Sequence, residues 1–566
     1  HMRRKYIFMK FLSKLFVTFL ILLVILAGSY SGLAYFMGIK AKESLDHEKD
    51  FLAHSNLFRV DNYRYYRGWF SSDIRLRLFI HPNVLAAIHI EKYPAILQKV
   101  LRHPVILHTH VKHGPFVQGF FGRAYGVTEV IFDQQVDKEL IKFFGNSRPF
   151  RIKNKIDFGG GGSVFILLDS MDYKELSGIQ IKFGGLQGEL SYDDKYETYA
   201  WHVGSPRFFM KLADKGGLLL SGVNYQSNTQ LNARSVNAGS FQFSLDKLFA
   251  KAQLDEKITF NLSDILSMFF NVKLGPLLDS PFSFRGVDLK LNQLLVRSDF
   301  KPQASGFLNM GGLFRFNYLQ LDQQQYGPLR VKITAKHIQS KSLKKLKDFM
   351  AQKLDKKLSF EQWKNDLLTY LRGPAVELLI NDPEFQLEDF YLKLPEGEVK
   401  AQGLLRFVGL QPTDLSDFSS LMNKTQAHLD YSMPENFVTS FFENQVIDLL
   451  LRDNSQLDQK NLHNVLQSTK YLVKTAISSY VSSGYMELIN GILSGTIDWN
   501  KGELYFNGHN YQKMQNDLNR IYSKEDEEQL DEQSTAVSDH NEQKPPYPHR
   551  QISSGSTSQK MLNDDN

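Results

Sequence analysis

The chain contains no cysteine. That excludes disulfides, thiolate catalysis and cysteine-ligated zinc or iron–sulfur centres. After residue 38 no apolar run reaches 18 residues, so the sequence predicts a single membrane crossing. The glycine cluster FGGGGSV (158–164) is not followed by Lys-Ser or Lys-Thr. It therefore lacks the ending of a phosphate loop and reads as a flexible turn. No G-x-S-x-G elbow occurs, and the glycines near Ser163 and Ser240 have the wrong spacing for one. Acidic side chains are plentiful, but no pair is singled out as a general-acid couple. The reading is a non-enzymatic protein with no cofactor and no metal.

Charge is also scarce in the sense that matters for nucleic acid. The net charge is +6, and the segment from Ser523 onward carries 4 Lys+Arg against 10 Asp+Glu, a net −6, which leaves +12 for the rest. A mildly basic body of this size suits anionic lipid or polymer but not a dedicated nucleic-acid binder. The final 44 residues (523–566) have few apolar side chains and no periodicity; they read as a disordered acidic tail.

What is present begins at the N-terminus. His1-Met2 reads as an expression scar and is set aside. Residues 3–14, RRKYIFMKFLSK, carry five positive charges and no acid, and Leu15–Gly38 follows with 24 uncharged residues. About 20 apolar residues cross a bilayer core as a helix, with the positive flank on the cytoplasmic side. The sequence thus predicts a cytoplasmic basic N-terminus (1–14), a transmembrane anchor (15–38) and an exported body. Tyr30, Tyr35 and Phe36 fall toward the outer interface. A cleaved signal peptide is the rival, with Gly32-Leu33-Ala34 as a weak small-x-small site, but the apolar run exceeds the ~7–15 residues of a signal core.

Residues 39–55 are polar and helix-compatible and read as a stalk. From 56 to 338 strands dominate. In DIRLRLF, Ile74, Leu76 and Leu78 share one face and Asp73, Arg75 and Arg77 the other, which is strand alternation. The same pattern recurs between glycine-marked turns, as in 150–168, 178–193, 207–225, 283–298 and 304–321. It predicts a long antiparallel meander. The region 339–522 is mixed. Leu343, Leu346, Met350, Leu354 and Leu358 lie at helical spacing, and Ser359 with Gln362 suits a capping box that opens a second helix. Strands follow near 375–408. A second helical block starts at Ser432–Glu435, and a hairpin pattern around Asn500-Lys501-Gly502 closes the body. The fold class is α+β: predominantly antiparallel β with two helical insertions, after one N-terminal transmembrane helix.

Three features invite a chemical reading. His108, His110 and His113 match the H-x-H-x-x-H opening of metallo-β-lactamase-type sites, but Lys112 stands where that site needs an aspartate. Alternation along a strand accounts for them better. Lys341, Lys344 and Lys345 lead a lysine-rich helix face that suits either solvent or anionic headgroups. The aromatic and basic stretch Tyr63–Phe79 reads as the first hairpin, turning at Gly68, with headgroup contact as a second reading.

Several segments, in order, resemble the YdgA-like family of bacterial envelope proteins. That family opens with an anchor and a Y-x-x-Y-x-R-G-x-F-S-S segment; here Tyr63, Tyr66, Arg67, Gly68, Phe70, Ser71 and Ser72 fit it, with the first spacing shifted. An H-G-P-F follows as His113, Gly114, Pro115 and Phe116, then a segment matching Phe150–Gly160, and an ending matching Gly502–Gly508. The resemblance implies an inner-membrane anchor and a periplasmic β-rich body, and it supplies no catalytic residue. The anchored β-rich plan also resembles that of AsmA-like proteins. The expectation is a bacterial inner-membrane protein that binds or moves phospholipid or another apolar ligand. The alternative is an envelope scaffold acting through a homodimer or other protein contacts.

Overall fold

A computed structural model of the chain describes residues 2–55, 57–87, 90–92, 95–232, 236–261, 281–321, 323–352, 359–453, 459–513 and 516. The acidic tail 523–566 and Leu354 and Leu358 lie outside the described residues. Residues up to Gly508 form one compact unit, and a second is assigned to His509–Asn566.

The first element is one helix, α1 (Met2–Ala53). It carries the uncharged span and continues through residues 39–53 without a break. There the helix is held by pairs one turn apart, Lys40–Glu43 at 3.0 Å and Lys42–Asp46, each worth about 0.2–0.5 kcal/mol. Ala34, Gly38, Ala41 and Leu45 are buried. Their spacing of four, three and four puts them on one face, and that face lies on the sheet.

The sheet begins with β1 (Phe58–Arg67) and β2 (Ser71–Ile80). Two short helices, α2 (Pro82–Ala87) and α3 (Ala95–Arg102), lead to β3 (Val105–His113). A small hairpin, β4 (Phe116–Val117) and β5 (Phe120–Phe121), precedes β6 (Ala124–Ile131). After α4 (Gln134–Phe144) come β7 (Phe150–Ile156), β8 (Gly162–Leu168), β9 (Met171–Lys174), β10 (Ile179–Phe183) and β11 (Leu186–Tyr192). Long strands follow: β12 (Thr198–Leu212), β13 (Gly216–Gln230), β14 (Ala238–Asn261) and β15 (Pro281–Pro302). Next are β16 (Phe307–Phe316), β17 (Tyr318–Leu321), β18 (Gln324–Tyr326) and β19 (Leu329–Gln339).

The first helical insertion is α5 (Ser340–Gln352), α6 (Phe360–Arg372) and α7 (Glu377–Ile380), so the strand expected from 375 is helical over 377–380 and the strands resume only at Glu384. The expected capping box is made: Ser359 Oγ accepts from Gln362 N at 3.2 Å, and Gln362 Oε1 accepts from Ser359 N at 3.1 Å. β20 (Glu384–Leu394) and β21 (Gly397–Phe407) return to the sheet, followed by α8 (Phe418–Lys424) and β22 (Thr425–Pro434). The second insertion is the helix pair α9 (Glu435–Asp453) and α10 (Gln459–Ser482). The unit closes with β23 (Glu487–Ile489), β24 (Ile492–Asn500) and β25 (Glu503–Phe506).

The main sheet path runs β1–β2–β3–β6–β7–β8–β11–β12–β13–β14–β15–β16–β19–β20–β21–β22–β24–β25, every pairing antiparallel. The protein is therefore predominantly antiparallel β with helical insertions and one N-terminal apolar helix. The sheet runs unbroken through the regions on either side of residue 338. The described core lies in patches along one face of this ribbon. Ala41 and Leu45 of α1 meet Ile74, Val111, Ala124 and Ile156. Phe51 reaches the next patch of Val164, Leu190, Tyr192 and Tyr196. α5 and α7 cover a third, where Leu343, Leu346, Ala375 and Leu378 pack on Met310, Ala335 and Ile338.

Candidate functional site

The first two sequence motifs converge on α1. Gly68 makes the β1–β2 turn, its N–H donating to Ser71 O at 2.7 Å. The turn presents Arg67 and Trp69 to the helix. The Arg67 guanidinium donates to Tyr35 Oη at 2.8 Å and lies 4.7 Å from that ring, and the Trp69 ring packs on Tyr35 at 4.7 Å. Trp69 Nε1 donates to the Ser31 carbonyl at 3.0 Å. The second motif meets the first: His113 N donates to Phe70 O at 2.8 Å. The buried His113 ring sits 2.7 Å, through Nε2, from Ser72 Oγ, which also accepts from Tyr65 Oη at 2.9 Å. Burial holds this imidazole below its usual value.

Two glycines make the approach close. A Cβ on Gly38 would lie 2.4 Å from His113 Nδ1. Gly114, at φ 144, leaves room for the Tyr30 hydroxyl, which donates to Phe116 O at 2.8 Å. Pro115 carries the chain from β3 into β4. Tyr66 is exposed and Ser71 pairs with Lys112. Gly508, at φ 79, lies beyond β25, far along the sheet path from this collar.

Further along α1, a polar network lies under the helix. The Glu48 side chain keeps part of its surface in solvent, but its carboxylate turns into the sheet and accepts from Asn154 Nδ2 at 2.7 Å. Burial pushes this carboxyl up to about 7, only partly opposed by the Asn154 bond. Asn154 Oδ1 in turn accepts from Tyr192 Oη at 2.7 Å, and the Tyr192 and Tyr196 rings stack at 4.2 Å. Arg123 donates to Lys40 O and Ser44 Oγ at 3.2 and 3.0 Å.

The three histidines do not converge. His108 and His110 share one face of β3, 3.3 and 3.2 Å from Asp73 Oδ1. His113 lies on the other face, under α1, because it is an odd number of residues away. Among the described residues no group of three or more metal-ligating side chains forms. Lys341, Lys344 and Lys345 lie on α5, and Lys344 pairs with Asp348 at 2.9 Å. They are about ten strand spacings from β3, roughly 48 Å along the sheet.

Beyond the end of α1 the sheet has two unlike faces. In cross-strand register, Val203, Tyr225, Phe243, Val296, Phe314, Val331, Phe390, Ala401 and Tyr431 form one row. The adjacent row contains Phe241, Gly312, Ile333, Leu387, Gly403, Leu429 and Ile497. The opposite face carries polar and charged partners: Arg297 with Gln242, Arg330 with Asp389, Lys332 with Glu388, and His428 with Asp498. The sequence EFQLEDFYL would break this sidedness, because Leu387 and Phe390 differ by three. A bulge at Glu388 and Asp389 absorbs the extra residue. Both acids then face Lys332 and Arg330 while both apolar residues stay on one side.

Part of the apolar face is open. Ile333 is 53% exposed, Phe385 39% and Leu405 38%. A groove of about 550 Å³ is floored by Gly312 and Gly403 and walled by Ile333, Leu387, Leu405 and Leu429. The glycines create it by leaving the positions between larger neighbours empty. Its chemistry suits apolar chains. The two-row lane was not visible in any one strand, since it is a property of register; the only signal was apolar alternation repeated from strand to strand.

No curated protein and no solved structure matches the chain. The model of a bacterial protein family of unknown function, DUF945, matches residues 12–515, nearly the whole length. With that coverage, the apolar span of α1, the collar and the lane all fall inside the match, and the chain belongs to the DUF945 family.

Proposed function

We propose that this is a single-pass protein of the bacterial inner membrane that holds the acyl chain of a phospholipid along the open apolar face of its sheet. The observation that carries the reading is the pair of apolar rows in cross-strand register, half-exposed and opening into the groove around Gly312 and Gly403. The groove falls within the ~300–1,000 Å³ range of ligand sites. The positive flank at 3–14 favours a cytoplasmic N-terminus and a periplasmic body. Docking of Ala34, Gly38 and Ala41 against the body supports an uncleaved anchor, since cleavage after Ala34 would remove the contacts of Tyr30 and Ser31. The resemblance to YdgA-like proteins agrees with this placement. The role is binding rather than catalysis.

Photo-crosslinking tests it. Full-length protein in vesicles containing a phospholipid with a photoreactive acyl chain should give adducts on peptides from 307–339 and 384–407. Adducts confined to 15–38 would overturn the reading. A second reading, contact with another protein, is favoured by one observation: the α9–α10 pair exposes Phe441, Phe442, Tyr471 and Leu472. Under that reading Tyr471→Ser with Leu472→Ser abolishes a complex seen by in-cell crosslinking and leaves the acyl adducts unchanged.

A further inference from the structure

We infer that the protein touches the bilayer a second time: the Trp69-Phe70 turn and the β4–β5 hairpin seat the body in the outer leaflet. This rests on reading α1 as membrane-spanning. Tyr30 and Ser31 belong to the uncharged span Leu15–Gly38. Tyr30 Oη donates to the Phe116 carbonyl at 2.8 Å, and the Ser31 carbonyl accepts from Trp69 Nε1 at 3.0 Å. A direct hydrogen bond puts both partners at the same depth. A helix rises 1.5 Å per residue, so a ~30 Å hydrocarbon core that starts at Leu15 ends near Tyr35, and Tyr30 lies roughly 8 Å inside it. The two loops therefore descend to the level of the acyl chains.

Their composition fits that level. Phe121 is 72% exposed, and Trp69, Phe70 and Phe116 are each about half exposed on the same side of the body as the helix exit. Phe116 and Phe121 pair across the hairpin with rings 4.6 Å apart. Such a cluster is an uncovered apolar patch in water, and aromatic rings collect at the membrane interface. Two backbone carbonyls there are satisfied, Phe116 O by Tyr30 and Phe70 O by His113 N, as a low-dielectric setting favours. Arg67, stacked on Tyr35, sits at the rim where its guanidinium reaches the phosphate level.

The absence of cysteine makes the test direct, since one introduced thiol labels one position. Full-length Phe121→Cys carries an environment-sensitive fluorophore in phosphatidylethanolamine–phosphatidylglycerol vesicles doped, in separate samples, with a lipid bearing a nitroxide near the headgroup end of its acyl chain and with one bearing it near the methyl end, the latter for the mid-membrane position 24. Phe70→Cys repeats the measurement on the other loop, so that a folding defect at one position does not decide the outcome. Val24→Cys reports the anchor, and the fully exposed Leu176→Cys reports water. We expect blue-shifted emission and nitroxide-dependent loss of intensity at Phe121 and Phe70, as at Val24. Emission at both loops that matches Leu176, with Val24 quenched, overturns the seat and leaves the anchor standing. No quenching at Val24 removes the anchor, and the seat with it.

Discussion

At the residue scale the contact of Gly38 with His113 makes an unusual prediction. In a free helix, Gly38→Ala would gain about 1 kcal/mol of helix propensity. Here the added Cβ would meet His113 Nδ1 at 2.4 Å, and overpacking of this kind costs about 1–3 kcal/mol. Gly38→Ala should therefore lower the melting temperature of the detergent-solubilised protein, and Gly38→Leu should lower it more. Glu48 gives a second test with a definite sign. Its carboxyl is raised from 4.5 to about 7, so the folded state holds a proton that the unfolded chain has lost over that interval. The associated stability is fully present below pH 4.5 and is lost as pH rises through about 7. Its size is on the order of 3 kcal/mol at most. Thermal unfolding followed between about pH 4.5 and pH 7 should show this stability falling with pH, and Glu48→Gln should flatten that dependence. Neither effect was legible from sequence. Gly38 looked like a span residue and Glu48 like a solvated stalk residue, because their partners, His113 and Asn154, lie 75 and 106 positions away.

At the element scale, α1 and the bulged β20 hold the most information. The sequence announced the span by its uncharged run and the strands by alternation, and the capping box at Ser359 formed as its spacing indicates. It marked 39–55 as helix-compatible, and the helix does continue to Ala53, but it did not announce that this stretch lies across β3, β6 and β7, because polar residues on one face hid the narrow stripe of Ala34, Gly38, Ala41 and Leu45. The short helices α2, α3 and α4 also escaped a reading tuned to period two. β20 offers a sharp test. Deleting Glu388 together with Asp389 makes Leu387 and Phe390 adjacent, so a continuous ladder must turn either Phe385 and Leu387 or Phe390 and Leu392 to the charged face. Burying or exposing two such side chains wrongly costs several kcal/mol, at ~1.5–3 each. The deletion should make peptides around 384–407 rapidly protease-sensitive, whereas Glu388→Gln, which keeps the residue count, should leave them protected.

At the scale of the whole molecule the two-faced ribbon is the feature that matters for function. Ile333 is already half in solvent, so Ile333→Asp should change stability by no more than about 1 kcal/mol. Paired with Leu405→Asp it should nevertheless remove acyl adducts from 307–339 and 384–407. Unchanged adduct yield with intact folding would separate the lane from lipid. The residues of the first two motifs, by contrast, belong to the joint between helix and sheet, and this became clear only once β1–β2 and β3 were placed side by side. The order of the sheet has one more consequence. Apart from the short excursions at β4–β5, β9–β10, β17–β18 and β23, each strand pairs with the one made just before it. A chain whose strands emerge in sequence order, as from a ribosome or a narrow channel, would find every partner already delivered. The ribbon can thus zip up vectorially behind its own anchor, with few long loops to close, and a nascent chain halted midway would carry an ordered stub rather than an unfolded tether.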